Sequence, residues 1–133
     1  GTPLIGGDFS AKTVTIDGTL FATAKSFDIK HPTKRGKRLI HGSLEGPEHG
    51  VYVRGTMKGH DMTHVELPDY WSKLVGDDYT VQLTSYNSSN VYIVEKYDNG
   101  FAVNSNSLHY KFDYFVIGQR ERIEVEIDAN ANK

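Results

Sequence analysis

The amino-acid sequence predicts a mainly β fold, namely a short lead-in followed by an antiparallel β-sandwich or barrel-like meander with one short helix. Proline and glycine recur every few residues between positions 26 and 55, where they would interrupt a helix. Apolar and polar residues alternate along several short segments, which is the pattern of half-buried strands. Asn99-Gly100 lies between two such segments and is typical of a type I′ hairpin turn.

The chain of 133 residues divides into three parts of different composition. We expect lead-in strands over residues 1–25, a β-rich head over residues 26–128, and a frayed polar tail over residues 129–133. The second half of the chain is expected to form a plain antiparallel meander. The strands predicted in the head are 26–29, 39–44, 50–57, 63–67, 79–83, 91–97, 101–103, 109–117 and 122–127.

Local signals indicate the remaining elements. Residues 12–16 alternate as a strand does, and Asp17-Gly18 is a corner or hairpin signal before a further strand at 19–21. A proline next to an aspartate then suits the start of one short helix near residues 69–74. Two strands alone are marginally stable in water, so the lead-in strands need neighbours.

The predicted strand 109–117 is apolar on both faces towards its C-terminal end. Phe115 and Ile117 would be exposed on a sheet with one solvated face. Either a second layer of this chain or another subunit must cover them. Because the chain is polar overall, with a hydrophobic content of 38%, another subunit is a serious candidate.

Composition excludes several function classes. The net charge is −2, which argues against binding nucleic acid by bulk electrostatics, and the basic run at 30–38 contains no aromatic residue. The chain has no cysteine for disulfide or thiolate chemistry. No apolar run approaches the roughly 20 residues that span a membrane. We therefore expect neither a nucleic-acid partner nor membrane insertion.

Signals for catalysis or metal binding are weak. His41 and His49 flank a loop that carries Glu45 and Glu48, so these four side chains are weak candidates for a divalent-metal site. In a homotrimer, one histidine per chain at the axis would supply three ligands, and His60 or His109 could also serve there. The two glutamates are also the nominees for a glycosidase pair. The chain contains no phosphate-binding loop, dinucleotide fingerprint or HExxH motif. We expect no catalytic residue and no cofactor.

Aromatic residues make up 11% of the chain and have two possible roles. Tyrosine on or beside a strand suits half-buried packing in a core or an interface. Exposed tyrosine and tryptophan can also stack on sugar rings. Tyr70, Trp71, and Tyr86 beside Asn87 in a polar loop are the candidates for such a surface.

Several segments resemble the C-terminal module of virion fibre and tail-fibre structural proteins of tailed phages, of the T4-like marine type. The most specific is RLIHGSLEGPEHGVYVRG at 38–55, and GTLFATAKSFDIKHP at 18–32 and VELPDYWSKLV at 65–75 support it. GGDFSAKTVTIDGTL at 6–20 resembles the end of a trimeric fibre shaft. LTSYNSS at 83–89 departs from the LTPIG that is usual there and gives a longer polar tip.

The resemblance implies a non-enzymatic, homotrimeric virion protein, synthesised in the host cytoplasm, that caps and trimerises a fibre. It also implies contact with a host surface receptor, possible partners being glycans. The residues nominated for that contact are Glu45, Glu48, Tyr70, Trp71, Tyr86 and Asn87. Two alternatives remain open: a fibre-borne glycan-degrading enzyme that uses Glu45 or Glu48, and an intramolecular trimerisation chaperone.

Overall fold

The computed structural model describes residues 1–76 and 78–120, and in these ranges it contains ten strands and one short helix. The prediction of a mainly β fold with one short helix is confirmed. The predicted strand 122–127 and the tail at 129–133 lie outside the described residues. The strands are β1 (Ile5–Asp8), β2 (Thr13–Ile16), β3 (Ser26–Lys30), β4 (Arg38–Gly42), β5 (Gly50–His60), β6 (Thr63–Glu66), β7 (Tyr79–Ser85), β8 (Val91–Tyr97), β9 (Gly100–Ser105) and β10 (His109–Gln119), and the helix is α1 (Trp71–Leu74).

The centre of the molecule consists of two three-stranded antiparallel sheets, ordered β5-β10-β7 and β6-β9-β8. The chain passes back and forth between them, so that β7 pairs with β10, and of the four strands β7 to β10 only β8 and β9 form a hairpin. The prediction of a plain meander in the second half is therefore wrong. The barrel-like alternative is also wrong, because the strands of the described residues form separate sheets and no closed barrel.

The core lies between these two sheets and the helix. Because side chains alternate along a strand, β10 directs Phe112 and Val116 inward, where both are fully buried. Phe101 and Val103 of β9 meet them from the other sheet, and Trp71 of α1 is also fully buried. The β3–β4 hairpin, which is a separate two-stranded sheet, adds its own apolar side chains to the edge of this core.

Two tyrosines of β10 lie over two glycines of β5. Tyr110 pairs with Gly59 and Tyr114 with Gly55, so the four-residue spacing in one strand matches that in the other. A Cβ atom on Gly55 would lie 2.5 Å from the Tyr114 hydroxyl oxygen, and one on Gly59 would overlap the Tyr110 ring. The glycines therefore leave the space that these rings occupy, and the aromatic rings cover backbone that would otherwise be open.

The β8–β9 hairpin forms at the predicted place but with a different turn. Tyr97 pairs with Gly100, so Asp98 and Asn99 are the turn residues. Neither Asn99 nor Gly100 has a positive φ, and the type I′ prediction is therefore wrong. Gly100 belongs to the strand, where it is buried next to β6.

Asn99 connects this hairpin to the segment before and within α1. Its side-chain Nδ2 donates to Leu67 O at 2.9 Å, and its Oδ1 accepts from Ser72 N at 3.0 Å. Its backbone carbonyl also accepts from Leu67 N at 3.0 Å. Three hydrogen bonds thus hold the helix against the end of the β6-β9-β8 sheet. Among the described residues, no helix has the length and apolarity needed to cross a membrane.

The lead-in folds as a hairpin in which β1 and β2 pair from Ile5 with Ile16 to Asp8 with Thr13. The predicted strand at 12–16 is confirmed, whereas the strand at 19–21 is wrong. Of the two alternatives at 17–18, the hairpin is wrong, and the chain bends there as a corner does. The turn lies earlier, because Asp8 Oδ1 accepts from the backbone N–H groups of Ser10 and Ala11 at 2.8 and 3.0 Å. The hydrogen bond from the Ser10 hydroxyl, followed by these two backbone bonds, keeps the pKa of Asp8 below its usual value.

Within the described residues, no third strand joins the β1–β2 hairpin. Its apolar side chains lie in solvent, and those of the adjoining residues do so as well. Phe9 and Phe21 have exposed fractions of 102% and 91%. The other exposed apolar residues of this lead-in are Leu4, Ile5, Val14, Ile16 and Leu20.

Candidate functional site

The outer face of the β5-β10-β7 sheet presents a chemically varied surface. Its side chains follow the strand register, in rows that cross all three strands. The central strand contributes one acidic, one aromatic and one aliphatic side chain, and the flanking strands contribute hydroxyl, amide, aromatic and guanidinium groups. The rows are Thr56–Asp113–Thr84, Arg54–Phe115–Gln82 and Tyr52–Ile117–Thr80.

Asp113 lies at the centre of a small hydrogen-bond network on this face. Thr56 Oγ1 donates to Asp113 Oδ1 at 2.7 Å, and Tyr86 OH donates to the same oxygen at 2.8 Å. Lys111 Nζ lies 4.6 Å from the centre of the Tyr86 ring, in a cation–π contact. The hydrogen bond from Thr56, followed by that from Tyr86, lowers the pKa of Asp113. The hydrogen bond between Tyr86 and Asp113 also raises the pKa of Tyr86, because it favours the protonated phenol.

We expect Thr56→Val and Tyr86→Phe each to raise the pKa of Asp113 towards its ordinary value, because each removes a donor that favours the carboxylate. Since the folded-state pKa is lowered, the network's contribution to stability is present above the unfolded pKa and is lost as pH falls through the folded one. The measurement is an NMR titration of the Asp113 carboxyl carbon. Thr84→Val is the control, because Thr84 lies opposite Asp113 without a hydrogen bond to it. Equal titration curves for wild type and Thr56→Val would contradict this prediction.

An aromatic pair lies beside the network. Tyr52 and Phe115 stack with ring centroids 5.7 Å apart and an interplanar angle of 16°, and both rings remain partly exposed. Arg54 and Gln82 flank Phe115 in an open depression of about 550 Å³. Exposed rings next to an amide and a guanidinium can contact a ligand that has both apolar and hydroxyl surfaces.

The aromatic residues nominated for receptor contact differ in how far they are buried. Trp71 is fully buried, so its nomination for receptor contact is wrong: the indole has no surface to offer. Tyr70 is half-buried between the rings of His31 and His41, at centroid distances of 5.8 and 5.5 Å. Burial raises the pKa of Tyr70. Because Tyr70 directly precedes α1, these ring contacts hold the start of the helix against the β3–β4 hairpin.

Tyr86 and Asn87 remain at the surface. Tyr86 is attached to the outer sheet face by its bond to Asp113. Asn87 is exposed and adopts φ 57°, the left-handed conformation that asparagine tolerates in a turn. The polar loop that contains Tyr86 and Asn87 therefore adjoins the edge of the candidate surface.

The loop with the two glutamates does not form the metal site that was considered. Glu45 is exposed, and Glu48 is partly buried. His41 packs against the Phe27 ring at 4.9 Å, and burial lowers the pKa of its imidazole. No three metal-ligating side chains of His, Cys, Asp or Glu gather anywhere in the described ranges. The combination of His41, His49 and the two glutamates as ligands is therefore wrong.

The central residues of the outer face were missed by the sequence analysis. Alternation does indicate that Arg54 and Thr56 share one face of β5, and that Asp113 and Phe115 share one face of β10. It does not indicate that β5 pairs with β10, since the two strands are about half the chain apart and are not joined by a hairpin. Without that pairing, Thr56 and Asp113 have no reason to be considered together.

No family model matches the chain, and no curated protein or solved structure matches it either. The resemblance to phage fibre modules thus stays a prediction. Function has to be inferred from the surfaces described above.

Proposed function

We propose that the chain is a homotrimeric fibre-tip domain of a tailed-phage virion, which caps the fibre and holds its three chains together. The observation that carries this proposal is the β1–β2 hairpin, whose apolar side chains are exposed and whose strands have no further partner in the described structure. A two-stranded hairpin is marginally stable alone, so this segment needs an additional surface.

The exposed side chains supply the driving force for association. Burial of one fully exposed Leu, Val or Phe side chain contributes about 1.5–3 kcal/mol. The lead-in offers Leu4, Ile5, Phe9, Val14, Leu20 and Phe21 within one short segment. Three copies that meet through this segment bury all of them around one axis. Because the ring is closed, the lead-in has no free apolar surface left through which a fourth chain could join.

The likeness of residues 6–20 to the end of a fibre shaft supports a trimer over other closed assemblies. In this arrangement the three lead-in hairpins run parallel and continue the shaft. The two central sheets and the β3–β4 hairpin form the head beyond it.

The outer face of the β5-β10-β7 sheet and the adjoining loop at 85–90 are the proposed surface for contact with a host receptor. Tyr52 and Phe115 offer half-exposed rings, and Tyr86 and Asn87 extend the surface into the loop. A host cell-surface glycan suits these groups, since it presents both hydroxyls and apolar ring faces. Three copies on one fibre bind with greater avidity than one.

The test of the trimer is the mass in solution by light scattering at several protein concentrations. We expect three chains for the wild type and single chains for the double variant Phe9→Asp/Val14→Asp, because carboxylates cannot be buried at the axis without large cost. Leu108→Asp is the matched control, since Leu108 is similarly exposed but lies in the head. A monomeric wild type, or dissociation by the control alone, would overturn the proposal.

A further inference from the structure

Two histidines face each other across neighbouring strands at one end of the outer sheet face. His60 ends β5 and His109 begins β10, and the two residues are register partners. Their ring centroids are 4.6 Å apart, and both side chains are exposed. No other two histidines of the described residues make a ring contact of this kind.

The backbone explains why the rings are so close. Asp61 N donates to Leu108 O at 2.9 Å, and the next register pair is His60 with His109. In an antiparallel ladder the position beside a hydrogen-bonded pair is a non-hydrogen-bonded pair, where Cα atoms are only about 4.5 Å apart and side chains are closest. Consistently, His60 N donates to Thr63 Oγ1 at 3.0 Å and not across the ladder.

The segment that carries His60 is held from several sides. Thr63 Oγ1 also donates to His60 O at 3.3 Å. The next carbonyl, Asp61 O, accepts a hydrogen bond of 2.5 Å from the buried Tyr110. Asp61 itself adopts φ 52° where the chain crosses from one sheet to the other. Fixed backbone reduces the ordering cost when both imidazoles bind one ligand.

We propose that His60 and His109 form a two-histidine site for a divalent transition-metal ion of the Zn²⁺, Ni²⁺ or Cu²⁺ class. Imidazole nitrogen is a preferred ligand of these ions, with Zn–N distances of about 2.0–2.1 Å. Two rings at 4.6 Å can each bring one nitrogen to a shared ion. Water fills the remaining coordination positions, because no third His, Cys, Asp or Glu of the described chain joins the pair.

The charged side chains beside the pair on this sheet face are two lysines. The next row on the same face holds Lys58 and Lys111, which oppose cation binding. Lys111 Nζ is drawn over the Tyr86 ring at 4.6 Å, on the side of β10 away from β5. Asp61 follows His60 directly, but it does not form a group of three ligands with the two histidines. The site lies within one chain, so it does not depend on the proposed trimer.

The experiment is isothermal titration of the full chain with ZnCl2 and, separately, NiCl2. Wild type is compared with His60→Ala, His109→Ala and the double variant. The control is His64→Ala, since His64 is exposed on β6 opposite Ala102 and stacks only on the Tyr97 ring. We expect one ion per chain at this site and a loss of affinity of about tenfold or more in either single variant, because chelation by the second ring is lost.

The double variant is expected to bind more weakly than either single variant, because a single variant keeps one imidazole ligand and the double variant keeps none. Melting curves without metal check that each variant folds. With metal, the melting temperature should rise for wild type and His64→Ala but not for the double variant, because the site exists only in the folded state. Equal affinities of wild type and double variant, or equal losses in the His64→Ala control, would overturn the proposal.

Discussion

Replacing Trp71 by alanine is expected to lower the free energy of unfolding by about 3–5 kcal/mol, the cost of truncating a large aromatic residue in a core. The indole is fully buried and meets the Tyr79 ring edge-on at a centroid distance of 5.8 Å. It is one of two buried side chains of α1, the other being Leu74, so its loss also weakens the packing of the helix on the core. Urea unfolding at a fixed protein concentration measures the change.

A second variant separates the volume of Trp71 from its polar atom. Its Nε1–H is buried and finds no acceptor in the part of the chain that the structure describes. Such an unpaired donor costs about 1–3 kcal/mol, so Trp71→Phe, which removes it, is expected to destabilise much less than Trp71→Ala. Lys73→Ala on the exposed side of α1 is the control and should change little. Similar losses for Lys73→Ala and Trp71→Ala would show that α1 is not anchored by the indole.

Strand positions were the most predictable part of this fold. Every strand that was predicted in the head and is covered by the structure appears within a few residues of its predicted bounds. Alternation and Gly/Pro breaks are local signals, and burial then reinforces them. The hairpin at 97–100 was likewise found from its turn residues. Local sequence thus indicates where strands begin and end.

Strand pairing was not predictable in the same way. The meander expectation assumed that neighbours in sequence pair, yet β9 and β10 lie in different sheets, and β10 pairs with β5 and β7. Pairing across that distance depends on complementary shapes, such as Tyr110 over Gly59 and Tyr114 over Gly55. The equal spacing of these residues in the two strands is a signal that could have suggested the pair.

The residues of the candidate site also divide into those that local sequence indicates and those that depend on strand pairing. Tyr86 and Asn87 were found because they lie in a polar loop, which is a local feature. Trp71 was nominated as an aromatic residue that could stack on a sugar ring, but tertiary contacts, among them that with Tyr79, bury it. The Thr56–Asp113 bond and the His60–His109 pair exist only because β5 pairs with β10. Sites built across that pair could therefore not be predicted before the sheet order was known.

Gly100→Ala is expected to destabilise the protein by about 3 kcal/mol, at the upper end of ordinary overpacking costs. A Cβ atom on Gly100 would lie 2.5 Å from the backbone oxygen of Val65, and backbone cannot move aside as a flexible side chain can. Gly100 is the register partner of Glu66, so β6 would have to separate from β9. The displacement would also disturb the adjoining Asn99, whose three hydrogen bonds hold the segment around α1.

The matched control is Gly42→Ala in β4, where an added Cβ meets no atom within 4 Å and φ is not positive. Alanine there should be neutral or slightly stabilising, because it reduces the conformational entropy of the unfolded chain. Hydrogen exchange of the β6 and β9 amides locates the damage, since exchange should accelerate in that sheet before it does in β5 and β10. If Gly100→Ala were as stable as Gly42→Ala, β6 would not be closely packed on β9, and the sheet that encloses the core would be looser than this structure describes.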